Sequence, residues 1–172
     1  MNEQEYQMTG SGQAVVPPQA SIMNEDTADQ EQIESRFGKI MVYRKNPIVF
    51  PNGLLGMPDK MQFCLTSMPS EKLARFKLLQ SLEDDSLSFI TMPLDPENPI
   101  IEQKDIDAGC KDLSIDPKNL AMLLIVSVHR TPEAIRLSVN ARAPLFMDVT
   151  RRVATQYVFH NNKYDIQHPI TA

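Results

Sequence analysis

FKLLQSLEDDSLSFITM, residues 76–92, reads as two arms and a turn. Phe76 to Leu82 is an apolar run that stops at Glu83-Asp84-Asp85-Ser86, and Leu87 to Met92 returns as a second run. Two apolar runs around a polar turn predict a β-hairpin. The same grammar extends towards the N-terminus. Met61, Phe63 and Leu65 alternate with Gln62, Cys64 and Thr66, the period of a half-buried strand. Before them, Pro47 to Phe50 stops at Pro51-Asn52-Gly53, and Gly56-Met57-Pro58-Asp59 marks a second turn. Arg36 to Tyr43 is expected to be the first strand, with Gly38 as a bulge.

Towards the C-terminus the pattern changes once and then resumes. Ile106, Cys110 and Leu113 fall at i, i+4 and i+7, the spacing of one helical face. Gly109 weakens that helix and Pro117 lies beyond its end. Leu120 to Arg130, LAMLLIVSVHR, is apolar almost throughout and predicts a strand buried on both faces. Ile135, Leu137 and Val139 alternate with polar neighbours, as do Leu145, Met147 and Val149 in part. Val153, Thr155, Tyr157 and Phe159 form the last strand pattern, and Asn161-Asn162 suits a turn after it. Many short strands, frequent turns and one short helix predict a mostly β fold: a small antiparallel barrel, closed or nearly closed.

Composition agrees with one domain of ordinary size. The chain has 172 residues, 42% of them hydrophobic. It has no Trp, so aliphatic side chains and the 10 Met must fill the core. Its 13 Pro favour short elements. Residues 1–34 hold seven acids and no base, are rich in polar residues, and show no sustained period. They are expected to form a disordered acidic tail, with the ordered domain spanning 35–170. No basic start followed by an apolar run marks an export signal. The longest apolar stretch is far short of the roughly 20 residues that span a bilayer. Cys64 and Cys110 are the only cysteines and form no CxxC pair, which suits a reducing compartment. A cytoplasmic location is expected, without membrane contact.

Few side chains have the spacing that chemistry demands. Gly10-Ser11-Gly12 matches neither a phosphate loop nor a dinucleotide fingerprint. His129, His160 and His168 lack metal-ligand spacing. Asp84 and Asp85 are expected to be exposed and of ordinary acidity, whereas general acid catalysis needs a perturbed group. No catalytic, cofactor or metal residue is assigned, and the chain is not expected to be an enzyme. Arg151-Arg152 with Tyr157 and Phe159 is the nearest approach to a nucleic-acid platform, but core packing explains those aromatics better. No direct nucleic-acid binding is expected. Charge, however, is blocked along the chain. Residues 83–116 carry ten acids against Lys104 and Lys111, between flanks that are net basic. Glu83, Asp84, Asp85, Asp95 and Glu97 are candidates for a patch that steers a basic partner.

Particular strings carry a resemblance. SRFGKIMVY at 35–43 precedes Phe50, Pro51, Gly53, Leu54 and Gly56 in a Phe-Pro-x-Gly-Leu-x-Gly turn. Leu79, Gln80, Ser81, Glu83, Asp84 and Phe89 follow, then Asn140, Ala143 and Pro144, then His168-Pro169. In this order the strings resemble the flagellar assembly factor FliW family over about residues 35–170. Asp85 stands where that family usually has proline in the acidic turn, and Leu55 where it has another. The resemblance implies a monomeric cytoplasmic protein that binds flagellin before export. It also implies binding of CsrA, a dimeric RNA-binding translational regulator, and relief of repression by partner switching. No cofactor is implied. Two alternatives remain open: a flagellin chaperone without a regulator partner, and a small nucleic-acid-binding barrel.

Overall fold

The computed structural model describes residues 29–171. Its strands are β1 (Gln30–Ser35), β2 (Gly38–Tyr43), β3 (Ile48–Val49), β4 (Gln62–Ser67), β5 (Lys77–Ser81) and β6 (Ser88–Pro93) in the first half. A helix α1 (Gln103–Leu113) precedes β7 (Leu120–Arg130), β8 (Ile135–Val139), β9 (Leu145–Asp148), β10 (Val153–Gln156) and β11 (His168–Ile170). The fold is mostly β, with one α-helix among the described residues.

A nine-stranded sheet runs in the order β11-β8-β7-β6-β5-β4-β3-β10-β9. An additional pairing of β7 with β9 closes β3 to β7, β9 and β10 into a ring. Every pairing is antiparallel except the single parallel contact Val153↔Val49. β8 and β9 lie end to end along one edge of β7, paired to Val126–Arg130 and Leu120–Leu123 respectively. The intervening Asn140–Pro144 bulges out of that edge. Its backbone is taken up by the C-terminal segment: Ala141 N–H donates to Asp165 O, and the N–H groups of Tyr157 and Phe159 donate to Pro144 O and Arg142 O.

Ring closure makes alternation serve two cores. Phe63, Leu65, Leu79, Leu123, Leu145 and Met147 point into the barrel with Ile48 and Phe50. Their neighbours Cys64, Leu78, Met122, Leu124 and Phe146 point outwards into a second core. That outer core is covered by the β1–β2 hairpin through Ile33, Ile40 and Val42, by α1 through Ile106 and Cys110, and by Phe159 and Tyr164. The expectation that β7 is buried on both faces is met over Ala121–Leu124 but not beyond Val126, where the strand leaves the ring and Ser127, Val128 and Arg130 are exposed. The helix also falls where its spacing predicts, with Ile106 and Cys110 buried.

Four expectations are corrected. Residues 30–34 belong to the folded domain rather than to the tail, because they pair with β2. The rest of the expected tail, residues 1–28, lies outside the described residues. Arg36 to Tyr43 is not one bulged strand: the chain reverses at Arg36-Phe37, and Gly38, at φ 101°, closes a hairpin. β4 is buried on both faces, since Cys64 and Thr66 lie under the outer layer. The last strand pattern stops at Gln156, and an unforeseen strand, β11, pairs with β8. Pro169 hid it, being a residue tolerated in strands only where its missing N–H faces away from a partner.

Candidate functional site

The turn between β5 and β6 is built by the side chains that carry its motif. Gln80 is fully buried, and its Nε2 lies within 3.0–3.3 Å of the carbonyl oxygens of Ser81, Asp84, Asp85 and Leu87. Ser81 Oγ accepts from the N–H groups of Glu83 and Asp84 at 3.1 and 3.2 Å. One amide and one hydroxyl therefore hold the loop from inside. Gln80 Oε1 and Ser88 Oγ, register partners at the foot of the hairpin, are buried without a hydrogen-bond partner.

The carboxylates of the turn have separate tasks. Glu83 accepts from Met61 N–H and Gln62 N–H at 2.7 and 2.9 Å, tying the turn to the start of β4. Asp84 accepts from the hydroxyl and N–H of Ser86, and these bonds hold its carboxyl below the usual range. That corrects the expectation of ordinary acidity, in the direction away from a general acid. Asp85 is exposed and pairs with Arg44 at 3.2 Å. Arg44 also donates to Leu82 O and to Glu31, so it clamps the β1–β2 hairpin onto the turn. Sequence reading missed Arg44, because nothing local to residue 44 points to a loop nearly forty positions on.

Asp95 and Glu97 do not join this group. They follow β6, whereas Glu83, Asp84 and Asp85 precede it. A six-residue strand separates them by about 20 Å. Asp95 accepts from Glu97 N–H within its own loop. The five candidates thus form two sites at opposite ends of β6, and within the first only Asp85 presents a carboxylate not engaged by turn backbone.

The rest of the acidic stretch secures the helix. Tyr164 Oη donates to Asp105 at 2.5 Å and accepts from Glu102 N–H, while Lys163 reaches Glu102 and Asp105. Tyr157 Oη donates to Asp112 at 2.6 Å. That bond, with burial and the nearby carboxylates, pushes the Tyr157 hydroxyl up to about 12. Phe146, Tyr157, Phe159 and Tyr164 form one chain of ring contacts. Tyr157 and Phe159 therefore belong to the core rather than to a nucleic-acid platform.

A cleft of about 920 Å³ opens between the loop after β6 and strand β11, lined by Arg75, Asp95, Asn98, His168 and several prolines. His129 Nε2 sits 2.9 Å from Ser138 Oγ across β7 and β8. Among the described residues no group of three or more His, Cys, Asp or Glu is placed to hold a metal ion. Among them, too, no helix is long and apolar enough to cross a membrane.

Fold and turn together define a ring-closed β-barrel whose outer face carries a helix and a hairpin, and whose acidic turn is held by its own side chains. A family model described as FliW protein matches residues 31–170, and the chain belongs to the FliW family. A flagellar assembly factor FliW of Natranaerobius thermophilus is 33% identical over 137 residues, covering 78% of this chain and 87% of the relative. One of Clostridium beijerinckii is 31% identical over 137 residues, covering 77% and 92%. A crystal structure of the flagellar assembly factor FliW superposes with a TM-score of 0.60 at 23% identity, over 81% of this chain and 96% of that one, which supports the fold.

Proposed function

We propose that the chain is a cytoplasmic, monomeric flagellar assembly factor that binds flagellin and antagonises the translational regulator CsrA by partner switching. The observation that carries this reading is the family match over residues 31–170, with relatives named flagellar assembly factor along nearly the whole domain. Switching is a linkage: if the two partners cannot be held together, each lowers the apparent affinity of the other. The regulator binds RNA, so its binding surface is basic, and exposed carboxylates suit it. Asp85 at one end of β6 and Asp95 with Glu97 at the other are the acidic positions this reading assigns to it. No covalent step or cofactor enters.

The test is a competition. Purified chain is loaded with CsrA, flagellin is added, and the complexes are resolved by size. Release of CsrA as the flagellin complex grows is the expected result. A stable three-component complex refutes switching. Absence of any CsrA binding reduces the function to a flagellin chaperone.

A further inference from the structure

The ladder between β6 and β7 ends early. Its last pair is Thr91↔Ile125, yet β7 continues to Arg130 with β8 along its other edge. Ile125 O accepts from Asn140 N–H at 2.9 Å, so the backbone of Ile125 faces the β8 side. Backbone groups alternate in direction along a strand. Ser127 and His129 therefore bond towards β8, while Val128 and Arg130 direct their N–H and C=O groups the other way. Among the described residues no strand pairs with that second edge. On the far bank of the gap the Ser88 carbonyl is met by Arg36 Nη2 at 2.7 Å.

The side chains above this edge are apolar as far as Val128, and Arg130 ends the row. Val128↔Leu137 and Arg130↔Ile135 continue the face begun by the buried pair Val126↔Val139. Val128 is 39% and Ile135 62% exposed, so the face runs out of the core into solvent. Proteins blunt such edges with proline, lysine or a covering element. β11 carries Pro169, but Val126–Arg130 holds neither proline nor lysine. Two guanidinium groups flank this edge, Arg36 on the far bank and Arg130 on the near one, and the arm holds one acid, Glu133. Continuing the Thr91↔Ile125 register brings Val128 level with Ser88, at the foot of the acidic turn.

We propose that the open edge of β7 at Val128 and Arg130 takes an added strand, an extended carboxylate-bearing segment of flagellin. This rests on the functional reading above. Unpaired backbone groups on alternate residues are complementary to an extended chain. The arginines select against a basic partner, which leaves the RNA-binding regulator to the carboxylates. A strand seated beside the turn that carries Asp85 obstructs the approach of that regulator.

Hydrogen exchange on the full chain with purified flagellin tests this. Val128 and Arg130 amides are expected to slow on flagellin binding. Val128→Pro deletes the N–H on the open edge and leaves the bonds of Ser127 and His129 to β8, so flagellin binding should weaken about tenfold or more while CsrA binding holds. Val128→Lys, which keeps the N–H but places a charge on the apolar face, should weaken it too. Unprotected Val128 and Arg130 amides in the wild-type complex overturn the inference, whether or not the variants fold. So does full-strength binding by Val128→Pro with Ser127 and His129 still protected, or protection by CsrA instead of flagellin. Failure of the wild-type chain to bind flagellin at all overturns the functional reading and the inference together.

Discussion

Gly109 lies directly against the ring of Phe146: a Cβ at residue 109 would stand 2.7 Å from Phe146 Cζ and 2.8 Å from Cε1. The glycine that weakens α1 as a helix is what lets it lie close on the outer face of β9. Gly109→Ala gains about 1 kcal/mol of helix propensity. It also forces a ring that is fully buried and flanked by Tyr157 to move, and overpacking of that kind costs about 1–3 kcal/mol. Net destabilisation of about 1 kcal/mol is expected in urea unfolding. A stabilised variant would show that the helix shifts freely. Phe146→Leu, which shortens the obstructing side chain, should reverse the sign of the alanine effect.

Gln80 is a second position whose residue the packing dictates. Replacement by Leu preserves much of its volume but removes the one side-chain donor facing four turn carbonyls. Asp84 O and Leu87 O keep the backbone donors Leu87 N–H and Ser81 N–H, but the carbonyls of Ser81 and Asp85 lose the Gln80 amide, and a buried acceptor left without its donor costs about 1–3 kcal/mol. Gln80→Leu should therefore lower stability by about 2 kcal/mol and speed hydrogen exchange of the Leu87 amide, whose bond to Asp84 O closes the turn. Unchanged exchange at Leu87 would place the order of the turn elsewhere.

The strands are legible where the run itself decides, as in the unbroken apolar Leu120–Leu124. They were misread where the covering element comes from afar. Cys64 and Thr66 look like the wet face of β4, and they are dry because the outer layer, with β2 packed against β4, covers them. The five acidic candidates look like a single patch in sequence for a related reason. Glu83 to Asp85 and Asp95 to Glu97 are close in sequence, but β6 runs between them and sets them at opposite ends. A charge count along the chain is blind to direction. Gln80, Ser81 and Glu83 were recognised as motif residues, but the carbonyl and N–H groups they serve become visible only once the turn is folded.

Alkaline unfolding reports the bond between Tyr157 and Asp112. The Asp112 bond, with burial, pushes the folded hydroxyl up to about 12 from the ordinary value of 10.0. A group whose folded pKa is raised stabilises fully below the unfolded pKa and loses that contribution as pH rises through the folded one. The loss should fall between about pH 10 and 12. Tyr157→Phe should lower stability at pH 8 and flatten the decline across that window, read by denaturant titration at each pH. Tyr164 is raised as well, so absorbance of the phenolate should show one fewer tyrosine ionising late in the variant than in the wild type. At the acid end, the Tyr164 hydroxyl holds Asp105 below the ordinary carboxylate range. That contribution is present above the unfolded value and lost as pH falls through the lowered folded pKa, and burial with the same bond raises the Tyr164 hydroxyl, so Tyr164→Phe should alter stability at both the acid and the alkaline ends.

Carboxylates in the acidic turn should separate cleanly by role. Glu83 accepts two backbone N–H groups, so Glu83→Ala should lower stability by about 1 kcal/mol and loosen the junction of the turn with β4. Asp85 has only its exposed contact with Arg44, and surface ion pairs contribute about 0–1 kcal/mol. Asp85→Lys should therefore leave the melting temperature nearly unchanged while slowing association with CsrA, most at low ionic strength. The distinction decides how a charge-reversal series is read. Weak binding by a Glu83 variant follows from a disturbed turn as readily as from a lost contact, whereas weak binding by Asp85→Lys with an unchanged melt reports the contact itself. If Asp85→Lys and Glu97→Lys both bind with wild-type rate and affinity, neither end of β6 meets the regulator.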